Sequence, residues 1–152
     1  MYDSRVDTYE HINKVQKYLI VAVRHLLNRS LRHDRSKLVS PEKTAWDKAS
    51  PKLAEMTYGS EEYRATLREI KPIVQHHYQH NSHHPEHYKD GVRGMSLLDL
   101  IEMLCDWKAA GERTKGGGDI MKSIEYNKDR FEFSDELTDI LRNTASELGL
   151  VR

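Results

Sequence analysis

The sequence predicts an all-α fold, on three observations. Apolar residues recur at three- and four-residue steps along several segments, N-cap residues stand directly before those segments, and no stretch alternates apolar and polar residues like a half-buried strand. At 152 residues the chain can bury one sizeable core and is short for two, so a single domain over 1–152 is expected.

The elements follow in chain order. Val15, Leu19, Ala22, Val23 and Leu26 carry the spacing of an amphipathic helix from about Asp7 to Asn28. His11 precedes Val15 by one turn on the same stripe, which predicts an inward-facing imidazole. The stretch RSLRHDRSKLVSPEK breaks the pattern, and Ser40-Pro41-Glu42 reads as an N-cap followed by proline at the first helical position. A short helix to about Ser50, ended by Pro51, is expected there. Ser60-Glu61-Glu62 opens another helix, carrying Tyr63, Leu67, Ile70, Ile73 and Val74 toward a histidine tract, with a kink expected at Pro72.

The segment HNSHHPEHYKDGVRG is rich in turn formers and reads as a loop. Ser96, with Asp99 as its capping partner, starts the strongly apolar SLLDLIEMLCDWKAAGERT, the expected central core helix. Lys115 to Gly118 reads as a flexible joint, and Ile120–Arg130 and Ser134–Leu148 as two closing helices. The expected architecture is therefore a single bundle of about five to seven helices, with Trp46 and Trp107 filling its core.

Composition narrows the function classes. Lys plus Arg and Asp plus Glu both number 24, so no bulk field favours nucleic acid or an anionic membrane, and phosphate recognition has to be local. The N-terminus lacks an apolar signal core, and the longest apolar run, Leu19–Val23, is far too short to span a bilayer. Cys105 stands alone and cannot form an internal disulfide, in keeping with a reducing, cytoplasmic setting.

Nine histidines are the abnormal number, and six of them (His76, His77, His80, His83, His84, His87) fall within residues 76–87. Divalent transition metals take imidazole nitrogens and carboxylate oxygens, so histidines and aspartates projected from several helices suit a catalytic metal site. In chain order the candidates are His11 in HINKV, His33-Asp34 in HDRSK, the histidines of HHYQHNSHH, and Asp106 within the apolar DLIEMLCDWKAA. Asp106 is notable because an unpaired charge among Met103, Leu104, Cys105 and Trp107 would be costly. Helical spacing lets His80 share a face with His76 or with His77, though not equally with both. A histidine tract can also be a solvated, pH-sensitive surface, which is the plain reading of His76 and His87.

These blocks resemble the HD-domain superfamily of metal-dependent phosphohydrolases. HINKV is similar to the opening His-x-x-Arg-Val of its cyclic-dinucleotide phosphodiesterase branch, HDRSK to the His-Asp-x-x-Lys, and HHPEHYKDGVRGM to the His-His-Glu stretch ending in Asp-Gly. MSLLDLIEMLCDWKAA resembles the helix delivering the last aspartate. The chain also resembles short bacterial and phage proteins with an HNxHHPE-type motif. The resemblance implies an HD-domain-like helical bundle and a hydrolase cleaving a phosphoester, of a nucleotide or cyclic nucleotide, by metal-activated water.

It further implies metal ligands at His11, His33, Asp34 and Asp106, with His77 and His80 lining the site and one or two divalent ions (Mn, Co, Ni, Zn, Mg or Fe). His83 and His84 match the paired histidines, one of them a ligand or proton donor. Lys37, one turn beyond Asp34, is placed to steady the phosphate. Arg113 and Lys115 flank the glycine joint, and Ser123, Asn127 and Arg130 recur at helical spacing, which makes them candidate phosphate binders. The expected partner is a small phosphoester rather than nucleic acid or membrane, and a homodimer accords with the superfamily's habit. Two other readings stay open at this point: an HD-type di-iron oxygenase, and a non-catalytic nucleotide-binding module.

Overall fold

A computed structural model describes residues 2–114 and 118–151. Among these residues there are seven α-helices, three short 3-10 turns and no strand. The chain divides into two compact units, residues 1–33 and 34–152.

The first unit is one helix, α1 (Arg5–Arg32), longer at both ends than the apolar periodicity predicts. None of its residues is buried. Val15, Leu19 and Val23, expected to face an interior, are 41%, 62% and 53% exposed. Helical periodicity decides which residues share a face; it does not decide what covers that face.

The second unit holds α2 (Glu42–Ala54), α3 (Glu61–Glu69), α4 (Lys71–His80), α5 (Leu97–Glu112), α6 (Ile120–Phe131) and α7 (Asp135–Glu147). Its 3-10 turns span Arg35–Leu38, Pro85–His87 and Gly91–Gly94. Pro41, rather than Ser40, occupies the N-cap of α2, and the Ser40–Pro41 peptide is cis. Pro51 lies inside α2 instead of ending it. The one carbonyl such a proline leaves without its helical donor belongs to residue 47, which is exposed. At Pro72 the expected kink is a full break: α3 ends before Ile70, and the proline sits in the first turn of α4, where a missing N–H costs nothing.

The capping signals are realised as read. Ser60 and Ser134 accept from the amides of Tyr63 and Leu137 at 3.2 Å. Ser96 and Asp99 form a full capping box at the start of α5. Asp99 does more than cap: its carboxylate also accepts from the Ser82 and Tyr88 hydroxyls at 2.7 and 2.9 Å, tying the loop before α5 to the helix. A Ser96→Ala variant should lose about 1 kcal/mol of stability, read as a lowered urea midpoint with unchanged helix content.

The core forms where α5, α6 and α7 meet. Met103, Leu104, Ile124 and Ala145 are completely buried, with Trp107 and Phe133 stacked at 6.2 Å beside them. Trp107 thus fills the core as expected. The helix α2 packs on α3, α4 and the 35–38 turn, and α4 packs on the 35–38 and 85–87 turns. That second layer carries the histidine tract past residue 34. No helix among the described residues is long and apolar enough to cross a membrane.

Candidate metal centre

Asp34 begins the second unit with a left-handed backbone, φ 55°. Aspartate tolerates this conformation far better than a β-branched or bulky residue would. Its carboxylate is shared between two directions. Oδ2 accepts from the Lys37 ammonium at 2.6 Å, one turn along the 3-10 segment. Oδ1 faces two imidazoles, 3.2 Å from His77 Nε2 and 3.5 Å from His83 Nε2.

Both imidazoles are buried, each 2% exposed at the side chain, and each is held from behind by a carboxylate. His77 Nδ1 lies 2.9 Å from Glu42 Oε2. Glu42 is fully buried, and its Oε2 also accepts from the Ser36 hydroxyl at 3.0 Å. The Asn81 amide donates to Ser36 Oγ and to the His77 carbonyl at 2.9 and 2.8 Å, closing the pocket around that ring. His83 Nδ1 lies 3.3 Å from Glu102 Oε1 on α5, and its Nε2 is 4.0 Å from Asp106 Oδ2, one turn further along the same helix.

With Nδ1 set against a carboxylate, each ring directs Nε2 at Asp34; in the metal-free protein His77 Nε2–H donates there, and release of that proton would turn a lone pair toward an ion. His84 adds a third nitrogen, its Nε2 being 3.0 Å from His77 Nε2. One ligand atom each from Asp34, His77, His83 and His84 lies within 4.8 Å of the others, a cluster that could hold a metal ion. Three imidazole nitrogens and a carboxylate oxygen are a donor set that borderline divalent ions accept. The rings also pack on one another, with centroids 4.9 Å apart for His77 and His84 and 4.1 Å for His83 and His84.

The other nominated residues sort by their places in the fold. His11 is exposed on α1, so its inward orientation does not hold. His33 is the C-cap residue of α1, joined by its peptide bond to Asp34. His80 is directed outward: it is exposed, its Nδ1 bonds the His76 carbonyl at 2.8 Å, and its ring stacks on His76. On α4 only His77 reaches the buried side, and His83 and His84, after the helix ends, supply the remaining nitrogens. His76 binds the second oxygen of Glu42 at 2.8 Å, and His87 bonds the Tyr78 carbonyl.

Ser123 and Asn127 are not open to an incoming ligand. They are 6% and 0% exposed and engage the Asp119 and Ser123 carbonyls of their own helix region. The apolar neighbours Ile120 and Ile124 draw this face of α6 into the core, so a polar helical stripe here is an interior one. Arg130 pairs with Glu86 at 2.6 Å and donates to the Tyr78 hydroxyl at 3.4 Å. Arg113 caps the C-terminus of α5 and is exposed. Lys115 lies outside the described residues, as do the next two glycines of the expected joint.

Sequence reasoning does not single out Glu42, and it takes Glu102 as a solvated residue in preference to one standing behind a ligand. Glu102 precedes Asp106 by one turn, so the shared face was legible, although the spacing suits a solvated residue equally well. Glu42 carried no signal beyond its place in the first turn of a helix. Tyr78 was missed as well: its ring packs on His84 at 4.8 Å, and its hydroxyl reaches Arg130.

Electrostatics separates the charged from the neutral groups. Burial pushes the Asp34 carboxyl up, but the His77 hydrogen bond and the Lys37 ammonium outweigh it and hold it well below the usual carboxylate range. Burial, then the charges His83 and His77 would carry, hold the His84 imidazole well below its ordinary value. Burial and the negative charge of Asp106 push the Tyr63 phenol up to about 12. Burial, then Glu86, also raises Tyr78. These phenols keep their protons at neutral pH and remain hydrogen-bond donors.

The two lowered values set a pH dependence for the metal-free protein. His84 stays neutral when folded, so its contribution is present above the ordinary histidine value of about 6.5 and is lost as pH falls below it. Asp34 contributes above the unfolded carboxylate range and loses that contribution as pH drops through it. Stability of chelator-treated protein should therefore fall from about pH 6.5 by up to about 1.4 kcal/mol per pH unit for one proton, then fall again below about pH 4. Urea midpoints across this range check it. His84→Asn should remove the first limb, and a midpoint that rises on acidification from pH 7 would contradict the assignment.

A family model described as "Family of unknown function (DUF5662)" matches residues 1–147. No curated protein and no solved structure matches the chain.

Proposed function

We propose that this chain, which belongs to the family of unknown function DUF5662, is a metal-dependent phosphohydrolase of the HD-domain type that cleaves a nucleotide or cyclic-nucleotide phosphoester. One observation carries the reading: two buried imidazoles, each backed at Nδ1 by a carboxylate, turn Nε2 toward one oxygen of Asp34. Carboxylate-backed imidazoles aimed at a common point are how metal-ligating histidines are oriented. The HDRSK and HHPEH blocks, which resemble the phosphohydrolase motifs, supply residues of this same cluster.

Asp34, His77, His83 and His84 would hold the ion, with Asp106 beside His83 completing or extending the ligand set. A bound divalent ion lowers the pKa of a coordinated water and polarises the phosphoryl oxygens. Lys37, held against Asp34 and over the Trp46 ring at 4.7 Å, places a cation at the edge of the cluster where a phosphate oxygen would lie. Tyr78, whose ring packs on His84, and Arg130, which reaches the Tyr78 hydroxyl, would donate to the remaining oxygens.

The test is metal analysis of the purified protein, followed by phosphate release from a panel of nucleoside mono-, di- and cyclic phosphoesters with Mn, Co, Ni, Zn, Mg or Fe. Stoichiometric metal and turnover with at least one ion is the expected result. Iron with a visible absorption band and oxygen uptake would move the reading to a di-iron oxygenase, and metal with retained nucleotide but no turnover to a binding module.

A further inference from the structure

The helix α1 presents a feature that the metal centre does not use. Ile12, Val15, Leu19, Val23, Leu27 and Leu31 follow one another at three- and four-residue steps and form a continuous stripe along the helix. These six side chains are between 41% and 72% exposed. Tyr9 and Ile20 widen the stripe and are 66% and 46% exposed. A contiguous exposed apolar band of this kind marks an interaction surface, where singly scattered apolar residues would not. A helix in which no residue is fully buried also lacks much of the packing from which helices in proteins draw most of their stability.

Charge along the helix says what would cover the band. Residues 3–10 hold three carboxylates (Asp3, Asp7, Glu10) and one arginine. Residues 24–32 hold three arginines (Arg24, Arg29, Arg32) and no carboxylate. A second α1 laid antiparallel brings each acidic start against a basic end, and it opposes the two helix dipoles favourably. A parallel arrangement would place like charge on like at both ends. Two-fold symmetry makes the antiparallel contact self-complementary, so it closes at two copies.

We infer that the apolar stripe of α1 is a homodimer interface, in which the helices of two copies pair antiparallel about a centre between Leu19 and Ile20. From Val15 on the steps are all of four residues, so the stripe is a ridge of the kind that interlocks with grooves on a facing helix. In this register Ile12 of one copy lies opposite Leu27 of the other.

The experiment uses the full chain. Sedimentation equilibrium should give a dimer, and a Leu19→Glu/Val23→Glu variant should sediment as a monomer while keeping the cooperative unfolding of residues 34–152. Orientation is read separately, in a Cys105→Ser background, by mixing Ile12→Cys chains with Leu27→Cys chains under mild oxidation. Formation of the mixed 12–27 disulfide supports the antiparallel pairing; 12–12 and 27–27 disulfides without the mixed product overturn it. A monomer at every concentration, a wild-type monomer that adsorbs to anionic lipid vesicles, or a dimer that survives both glutamates would each overturn the interface itself.

Discussion

The Asp34→Asn chain should emerge from purification without bound metal, with affinity lowered more than about 100-fold, since loss of an outer-shell partner alone costs about 10–100-fold. Asp34 Oδ1 faces both buried Nε2 atoms, at 3.2 and 3.5 Å. An amide keeps the shape and removes the charge that balances the cation. Asparagine also tolerates the left-handed backbone at this position, so the variant tests charge without added strain. Asp34→Ala should give the same loss of metal with a further destabilisation of about 1 kcal/mol from an alanine held at positive φ. Metal content by elemental analysis and turnover by phosphate release should disappear together. An Asp34→Asn protein holding one equivalent of metal would remove Asp34 from the ligand set.

The second large effect is expected at a residue that would touch no metal. Glu42→Ala should lower metal affinity about 10–100-fold and cost about 3 kcal/mol of stability. The carboxylate is fully buried and answers both His76 and His77, at 2.8 and 2.9 Å. Removing it leaves two imidazole donors and the Ser36 hydroxyl facing a cavity, and it frees His77 to change tautomer. Glu42→Gln keeps an acceptor for one ring and should recover part of the stability while the metal affinity stays reduced. Isothermal titration with cobalt, beside the d–d spectrum of the cobalt-loaded protein, separates an altered ligand field from simple misfolding. Unchanged affinity and spectrum in Glu42→Gln would mean that the carboxylate only supports the fold.

These two residues mark the difference between what the chain announces and what folding decides. Asp34 stands beside a histidine in a motif, and the motif could be read because backbone adjacency places its groups near one another in any fold. Glu42 lies 35 positions from His77, and no pattern along the chain couples a first-turn glutamate to a distant imidazole. The same contrast separates His77 from His80. Both lie on α4 at helical spacing, and only the packing of that helix on α2 and the neighbouring turns selects the first and turns the second to solvent.

By itself the sequence determined the all-helical class, the caps at Ser60, Ser96 and Ser134, and the core helix from Leu97. These are local properties: propensity, capping hydrogen bonds and apolar period act within a few residues, so they can be read along the chain. Only the tertiary structure decided that α1 buries no residue, that Ser123 and Asn127 are interior, and that Glu42 and Glu102 stand behind the imidazoles. Burial and long-range hydrogen bonding depend on which faces meet, and that is settled by the packing of whole elements rather than by any residue's neighbours in sequence.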